Sequence, residues 1–193
     1  MSAENSGGRP AGTRERILQA GYEIAGQSGV AAVTLDAVAD RAGVSKGGLL
    51  YHFPSKQALV AGMVDGLCDA FADLADAAAR ADPEPAGRSA RAYLAASAGE
   101  LWQSDRWLAL VGALVISPGL LDAWRAGVVA GRAADETENT DPVAAAIVRL
   151  VADGLWLTGV LGLPTPGPQL RAAMLAELDQ MTRRPRPGPG GPR

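Results

Sequence analysis

Thr34, Ser45, Lys46, Tyr51, His52 and Lys56 are hydrogen-bond donors gathered in one stretch, TLDAVADRAGVSKGGLLYHFPSK, residues 34–56. Their chemistry suits the oxygens of a polyanion. Hydroxyls, ammonium groups and an imidazole hold phosphates, and a lysine can also reach the acceptors on a guanine edge. Gly47 and Gly48 follow Lys46 and carry no side chains, so a nucleic acid can come close to the backbone there. On this reading Lys46 meets a base edge, and Thr34, Ser45, Tyr51, His52 and Lys56 meet phosphates.

Such a set needs elements that hold it on one face. Thr34 is a good N-cap, and Leu35, Val38, Ala39 and Ala42 then recur at helical spacing. Gly43 ends that helix, because glycine takes the left-handed conformation without a Cβ penalty. Ser45 caps a second helix, Lys46 to Tyr51, on which Leu49 supplies apolar bulk. Phe53-Pro54 closes it, since the residue before a proline is driven from helical dihedrals. Ser55 caps a third helix that opens with Lys56. Two short helices joined by a glycine-containing turn make either a helix-turn-helix or an ordinary helical hairpin. In the first case the second helix enters the major groove with its N-terminal residues foremost.

The wording of the stretch separates these two. TLDAVADRAGVSKGGLLYHFPSKQAL, preceded by ILQAGYEIAGQSGVAAVT, closely resembles the DNA-binding domain of the TetR/AcrR family of bacterial repressors. That family's pattern is T-x-x-x-[IV]-A-x-x-A-G-V-S-x-G-x-[LIF]-Y-x-[HY]-F-x-x-K-x-x-L. The chain supplies Thr34, Val38, Ala39, Ala42, Gly43, Val44, Ser45, Gly47, Leu49, Phe53, Lys56 and Leu59 at matching positions, with Tyr51 one residue after the pattern's tyrosine. Leu50 departs from it, standing where many members carry a second aromatic. The resemblance covers about residues 12–60. The rest of the chain matches in helical character and length. The resemblance implies an all-α fold, a helix-turn-helix, a double-stranded DNA operator, and a small effector bound in the second half.

The 193 residues are rich in Ala, Leu, Val and Gly and poor in aromatics, which favours helices. We expect three N-terminal helices, including the helix-turn-helix, then about six in a regulatory and dimerisation domain. The boundaries read as a tail, 1–11; a DNA-binding domain, 12–56; a ligand-binding and dimerisation domain, 57–182; and an Arg/Pro/Gly tail, 183–193. The net charge of −3 divides unevenly. Residues 1–56 hold six Lys/Arg against five acids, the tail 183–193 holds four Arg and no acid, and 57–182 hold eight Arg against sixteen acids. Cations thus sit where phosphates would be met, and the acidic part can face away. MSAENSGGRP lacks the apolar core of a signal peptide, and no apolar run reaches the ~20 residues of a membrane span, so a cytoplasmic protein without a membrane partner is expected. The single Cys68 permits no internal disulfide.

Beyond the reader, a long helix is expected from Ser55 to Ala81, with Leu59, Met63, Leu67, Phe71, Leu74 and Ala78 inward and Asp65, Asp69, Asp73 and Asp76 solvated. Helices are then expected over 86–104, over WLALVGALVI, and over 120–134, followed by an acidic loop, ADETENTDP. Asp141-Pro142 starts the next helix, running to Leu163. It is apolar nearly all round, so a second chain is expected to cover part of it. With the last helix, 169–181, it should pack against its copy across a two-fold axis, giving a homodimer. Trp102, Trp107, Trp124 and Trp156 all lie after residue 100. They are either core or the walls of an effector cavity, in which case Asp153 supplies a carboxylate to a lipophilic cation.

His52 is the only histidine; with no Cys/His cluster, phosphate loop or dinucleotide fingerprint, no catalytic residue, metal site or cofactor is expected. The leading reading is an effector-released repressor. The alternatives are a DNA-binding helical protein without an effector and an all-α enzyme.

Overall fold

A computed structural model of the chain describes residues 12–99 and 118–184. Among these residues the fold is all-α, with eight helices and one short 3-10 turn. The order is α1 (Thr13–Ser28), the turn (Val30–Ala32), α2 (Leu35–Ala42), α3 (Lys46–His52), α4 (Lys56–Ala81), α5 (Arg88–Ala98), α6 (Pro118–Thr137), α7 (Pro142–Val160) and α8 (Pro168–Thr182). The helix expected over WLALVGALVI, together with Trp102 and Trp107, lies outside the described residues.

Local chemistry sets the helix ends. Thr34, Ser45 and Ser55 each accept a backbone N–H from three residues on, at 3.2, 3.1 and 3.1 Å. Gly43 turns the chain out of α2 at φ 64°, where a side chain would be strained. Asp141 accepts the N–H of Val143 at 2.9 Å, with Pro142 as the first residue of α7.

Two apolar clusters organise the packing. The first joins Ile17, Leu18, Ile24 and Ala25 of α1 with Val38, Leu49, Phe53, Leu59, Met63 and Leu67. It seats α2 and α3 on α1 and on the first half of α4. Tyr22 adds a buried hydrogen bond, its hydroxyl donating to the Met63 carbonyl at 2.6 Å. The second cluster joins Ala90 and Leu94 of α5, Ala145, Val148 and Ala152 of α7, and Leu178 of α8.

A polar knot ties the far end of α4 to the end of α8. Arg91, 6% exposed, donates to Asp82 at 2.6 Å, to the carbonyls of Ala86 and Glu84 at 2.8 Å, and to the Thr182 hydroxyl at 3.0 Å. Gly87 makes the approach possible. A Cβ there would fall 2.3 Å from the Thr182 carbonyl oxygen, and its φ is +71°.

Three expectations are corrected. Residues 134–137, read as loop, continue α6, because Asp135 is held by Arg149 at 2.5 and 2.8 Å. Pro118, left between two expected helices, starts α6, a position where its missing N–H is harmless. Leu74, read as core, is 43% exposed.

Helix α7 is long and apolar enough, over Pro142–Gly159, to cross a membrane by length and composition alone. Its inner face is core, and its only two charged residues, Arg149 and Asp153, bond to α5 and α6. Its outer face carries Val143, Ile147, Leu150, Leu157 and, just beyond its end, Leu161, between 39% and 64% exposed. The spacing of four, three, seven and four residues makes one stripe.

Candidate nucleic-acid interface

Helix α3 stands on Leu49, which is fully buried, while most of the helix faces outward. Tyr51 is 86% exposed and sits edge-to-face on His52 at 5.2 Å. Nothing lies within 4 Å of where a Cβ would sit on Gly47, so the backbone is open to close approach. Lys46 and Thr34 are exposed at the front of α3 and α2. Lys46 Nζ pairs with Asp36 Oδ1 at 2.8 Å, and both side chains remain largely in solvent.

Two neighbouring cations have other tasks. Lys56 Nζ donates to the Ala31 carbonyl at 3.0 Å, bracing the 3-10 turn against the start of α4. Arg41 bonds Glu23 at 3.2 Å and Gln27 at 3.3 Å, fastening α2 to α1.

In the second half, a ring-and-charge cluster lies between α4, α5, α6 and α7. The Tyr93 hydroxyl donates to Asp153 Oδ1. The Arg149 guanidinium lies 4.7 Å from the centre of the Tyr93 ring and also donates to the Ser89 hydroxyl at 2.9 Å. Phe71 of α4 meets Tyr93 edge-on at 5.2 Å. Burial, then the bond to Asp153 and that residue's charge, push the Tyr93 hydroxyl well above the usual phenol range. Trp156 is half-buried and packs against the first cluster, as do Cys68 and Phe71 of α4. Burial, reinforced by Asp65 and Asp69, pushes the Cys68 thiol up and keeps it protonated. No group of three or more metal-ligating side chains occurs among the described residues.

Residues 17–63 match the family model described as "Bacterial regulatory proteins, tetR family", and residues 87–183 match "Tetracyclin repressor-like, C-terminal domain". The chain belongs to the TetR family.

Solved TetR-like structures agree over nearly the whole chain. A TetR family member from Streptomyces coelicolor A3 is 28% identical, with a TM-score of 0.65 over 87% of this chain and 98% of its own. The multidrug binding protein EbrR, complexed with malachite green, is 27% identical, with a TM-score of 0.62 over 88% and 97%. A transcriptional regulator from Pseudomonas aeruginosa PAO1 shares the fold at 22% identity, with a TM-score of 0.68 over 86% and 88%. No curated protein matches the chain in sequence.

As a TetR family regulator, the chain carries a helix-turn-helix DNA-binding domain. The fold gathers Thr34, Ser45, Lys46, Gly47, Gly48 and Tyr51 around the exposed front of α2 and α3. Lys56 stands apart, bonded to Ala31. Of the expected effector residues, Asp153 and Trp156 share α7, whereas Trp102, Trp107 and the side chain of Trp124 lie outside the described residues. Sequence reading missed Tyr93 and Arg149 as partners of Asp153. A signal was present: Arg149 and Asp153 are the only charges in 142–163, and their spacing of four places them on one helical face.

Proposed function

We propose that the chain is a repressor that occupies an inverted-repeat operator as a homodimer and leaves it when a small apolar or lipophilic cationic effector binds within 57–182. The observation that carries this reading is an outward-facing α3 in the same chain as an uncovered apolar stripe on α7. Two copies joined along that stripe and along α8, the expected helices 141–163 and 169–181, present two readers related by a two-fold axis. Such an arrangement requires half-sites about one helical turn, or a multiple, apart.

At each half-site Lys46 reaches a guanine edge, and Gly47 and Gly48 let the backbone close in. Thr34, Ser45, Tyr51 and His52 face phosphates, and Lys56, bonded to the Ala31 carbonyl, acts on them through its charge. DNA as the target implies the cytoplasm as the location.

The effector class rests on the neighbours and on charge. EbrR has been solved with malachite green and with ethidium, and both dyes are aromatic lipophilic cations. Residues 57–182 hold twice as many acids as arginines. Asp153, with Trp156 on the same helix and the four tryptophans together as walls, is the anchor of this reading. Helix α4, about 39 Å long at ~1.5 Å per residue, links that region to the reader. An effector that tilts it changes the spacing of the two readers, which DNA fixes, so effector and operator oppose each other by a common factor.

One observation favours the reading without an effector. Asp153 already bonds Tyr93, and the Arg149 cation covers the Tyr93 ring.

Selection of bound fragments from random DNA, followed by titration of tryptophan fluorescence with malachite green and ethidium with and without the selected operator, tests both parts. An inverted repeat, and dye binding weakened by DNA, are expected. Selection of no repeat removes the repressor reading. Dye binding that is equally tight with and without DNA removes the coupling.

A further inference from the structure

The Lys46–Asp36 pair has no evident use in holding the fold. Its side chains are 61% and 70% exposed, and an ion pair so exposed contributes little to stability. Asp36 has an ordinary role as an acid in the first turn of α2, where it meets the positive end of the helix dipole. That role asks nothing of Lys46, which comes from the first position of a different helix.

The charge pattern around the pair is more telling. Among residues 34–56 the cations are Arg41, Lys46 and Lys56. Arg41 is turned to α1 and Lys56 to the Ala31 carbonyl. That leaves Lys46 at the front of the reader, neutralised by a carboxylate on the same surface. A protein that grips DNA through phosphates alone gains nothing from an acid there, since it repels the backbone and occupies the cation.

The distance suggests what the acid is for. A G·C pair presents guanine O6, an acceptor, beside cytosine N4, a donor, on its major-groove edge. Those two atoms are joined by their own N–H···O bond of about 2.9 Å. Lys46 Nζ and Asp36 Oδ1 are also a donor and an acceptor, 2.8 Å apart. Set edge to edge, ammonium on O6 and carboxylate on the free N4 hydrogen, the four atoms close a ring in which every donor faces an acceptor. An A·T pair in the same place reverses the match, with the adenine amino group donating and thymine O4 accepting, while a T·A pair keeps the match but puts the thymine methyl where guanine N7 accepts a second ammonium hydrogen.

We infer that Lys46 and Asp36 act as one unit that reads a single G·C pair in each half-site, with Asp36 as a specificity-determining residue that accepts from cytosine and keeps Lys46 off the phosphates of other sequences. This rests on the assignment of Lys46 to a base edge made above. It adds the base pair, its orientation, and a second residue to that assignment.

The test uses the full chain and the operator selected from random DNA, with each base pair of the half-site exchanged in turn. For the unaltered protein, one G·C pair should be required. Its exchange for A·T should weaken binding about 5- to 150-fold, the range for one good base contact. Exchange for inosine·cytosine, which keeps the major-groove edge, should have little effect. Asp36→Asn and Asp36→Ala should shrink the preference at that one position at least about fivefold. They should also bind random DNA more tightly and steepen its salt dependence by about one counterion per protomer.

Thermal melting of both variants controls for the role of Asp36 at the start of α2. A lowered melting temperature with the base preference intact would show that role alone and overturn the inference. If Lys46→Ala relaxes a G·C position and neither Asp36 variant does, only the present inference fails. If Lys46→Ala relaxes no position, the base-edge assignment fails and this inference with it.

Discussion

Leu150 stands near the middle of the uncovered stripe on α7 and is 62% exposed in the single chain. Fully burying a leucine is worth about 1.5–3 kcal/mol. The part of Leu150 still in water therefore represents about 1–2 kcal/mol per protomer, and about twice that where a two-fold axis uses the residue on both copies. Leu150→Asp removes this contribution and places two carboxylates in an apolar seam, adding a desolvation penalty of the same sign. The dimer should weaken by at least 2–4 kcal/mol, about 30- to 1000-fold in dissociation constant. Sedimentation equilibrium at micromolar concentration measures it directly. Far-UV circular dichroism should still report a helical chain, because Leu150 belongs to neither apolar cluster. Leu74→Asp, at another exposed leucine away from the stripe, is the control and should leave association unchanged. Operator affinity should fall with dimerisation, since two tethered readers gain from the effective concentration of the second. A Leu150→Asp protein that remains fully dimeric would refute the placement of the interface.

Four further outcomes are expected. Lys46→Ala should weaken operator binding by about 1–3 kcal/mol and relax one position per half-site, read by competition with base-substituted operators. Lys56→Ala should weaken all DNA sequences alike and also lower the melting temperature, because it frees the Ala31 carbonyl, a loss of about 1 kcal/mol. Arg91→Met should destabilise the fold by about 3–5 kcal/mol in urea unfolding, since it leaves the Asp82 carboxylate, 16% exposed, without its ion pair and removes the bond to Thr182. Burial opposes ionisation of Asp82, but the bonds from Arg91 and the Glu84 N–H, with the charges of Arg91 and Arg183, outweigh it and hold its carboxyl below the usual range. The folded value thus lies below the unfolded one, so its stabilisation is complete above about pH 4 and is lost as pH falls through the folded value. Asp82→Asn should flatten that part of the acid-unfolding curve.

The reader was legible because its signals are local. Thr34, Ser45 and Ser55 bond to N–H groups three residues away, and Gly43 needs only its own dihedrals. The all-α fold and the family followed from the same stretch. Contacts between distant parts of the chain left no such trace. Arg91 and Thr182 are 91 residues apart, and Tyr93 and Asp153 are 60 apart. The helical residues 134–137 read as a loop because seven polar residues follow Ala134, and only the partner Arg149 explains why they stay coiled. Lys56 read as a phosphate donor by its type, yet the carbonyl it holds, Ala31, is 25 positions earlier. For Trp156, the cluster it packs against is built from residues 17–67, which composition could not place beside α7.

The knot around Arg91 fixes where movement can occur. It rivets the Asp82 end of α4 to α5 and to the end of α8, with Gly87 leaving no gap between them. A rod held at one end can only pivot there, and its free end travels farthest. A rotation of about 5° about that pivot carries the other end of an about 39 Å helix through roughly 3 Å. That is the length of one hydrogen bond, enough to take a side chain from a base edge into water. The gearing therefore favours many faint disturbances near Asp82 over one large rearrangement, and a substitution that slackens the rivet should blunt the response without touching the reader.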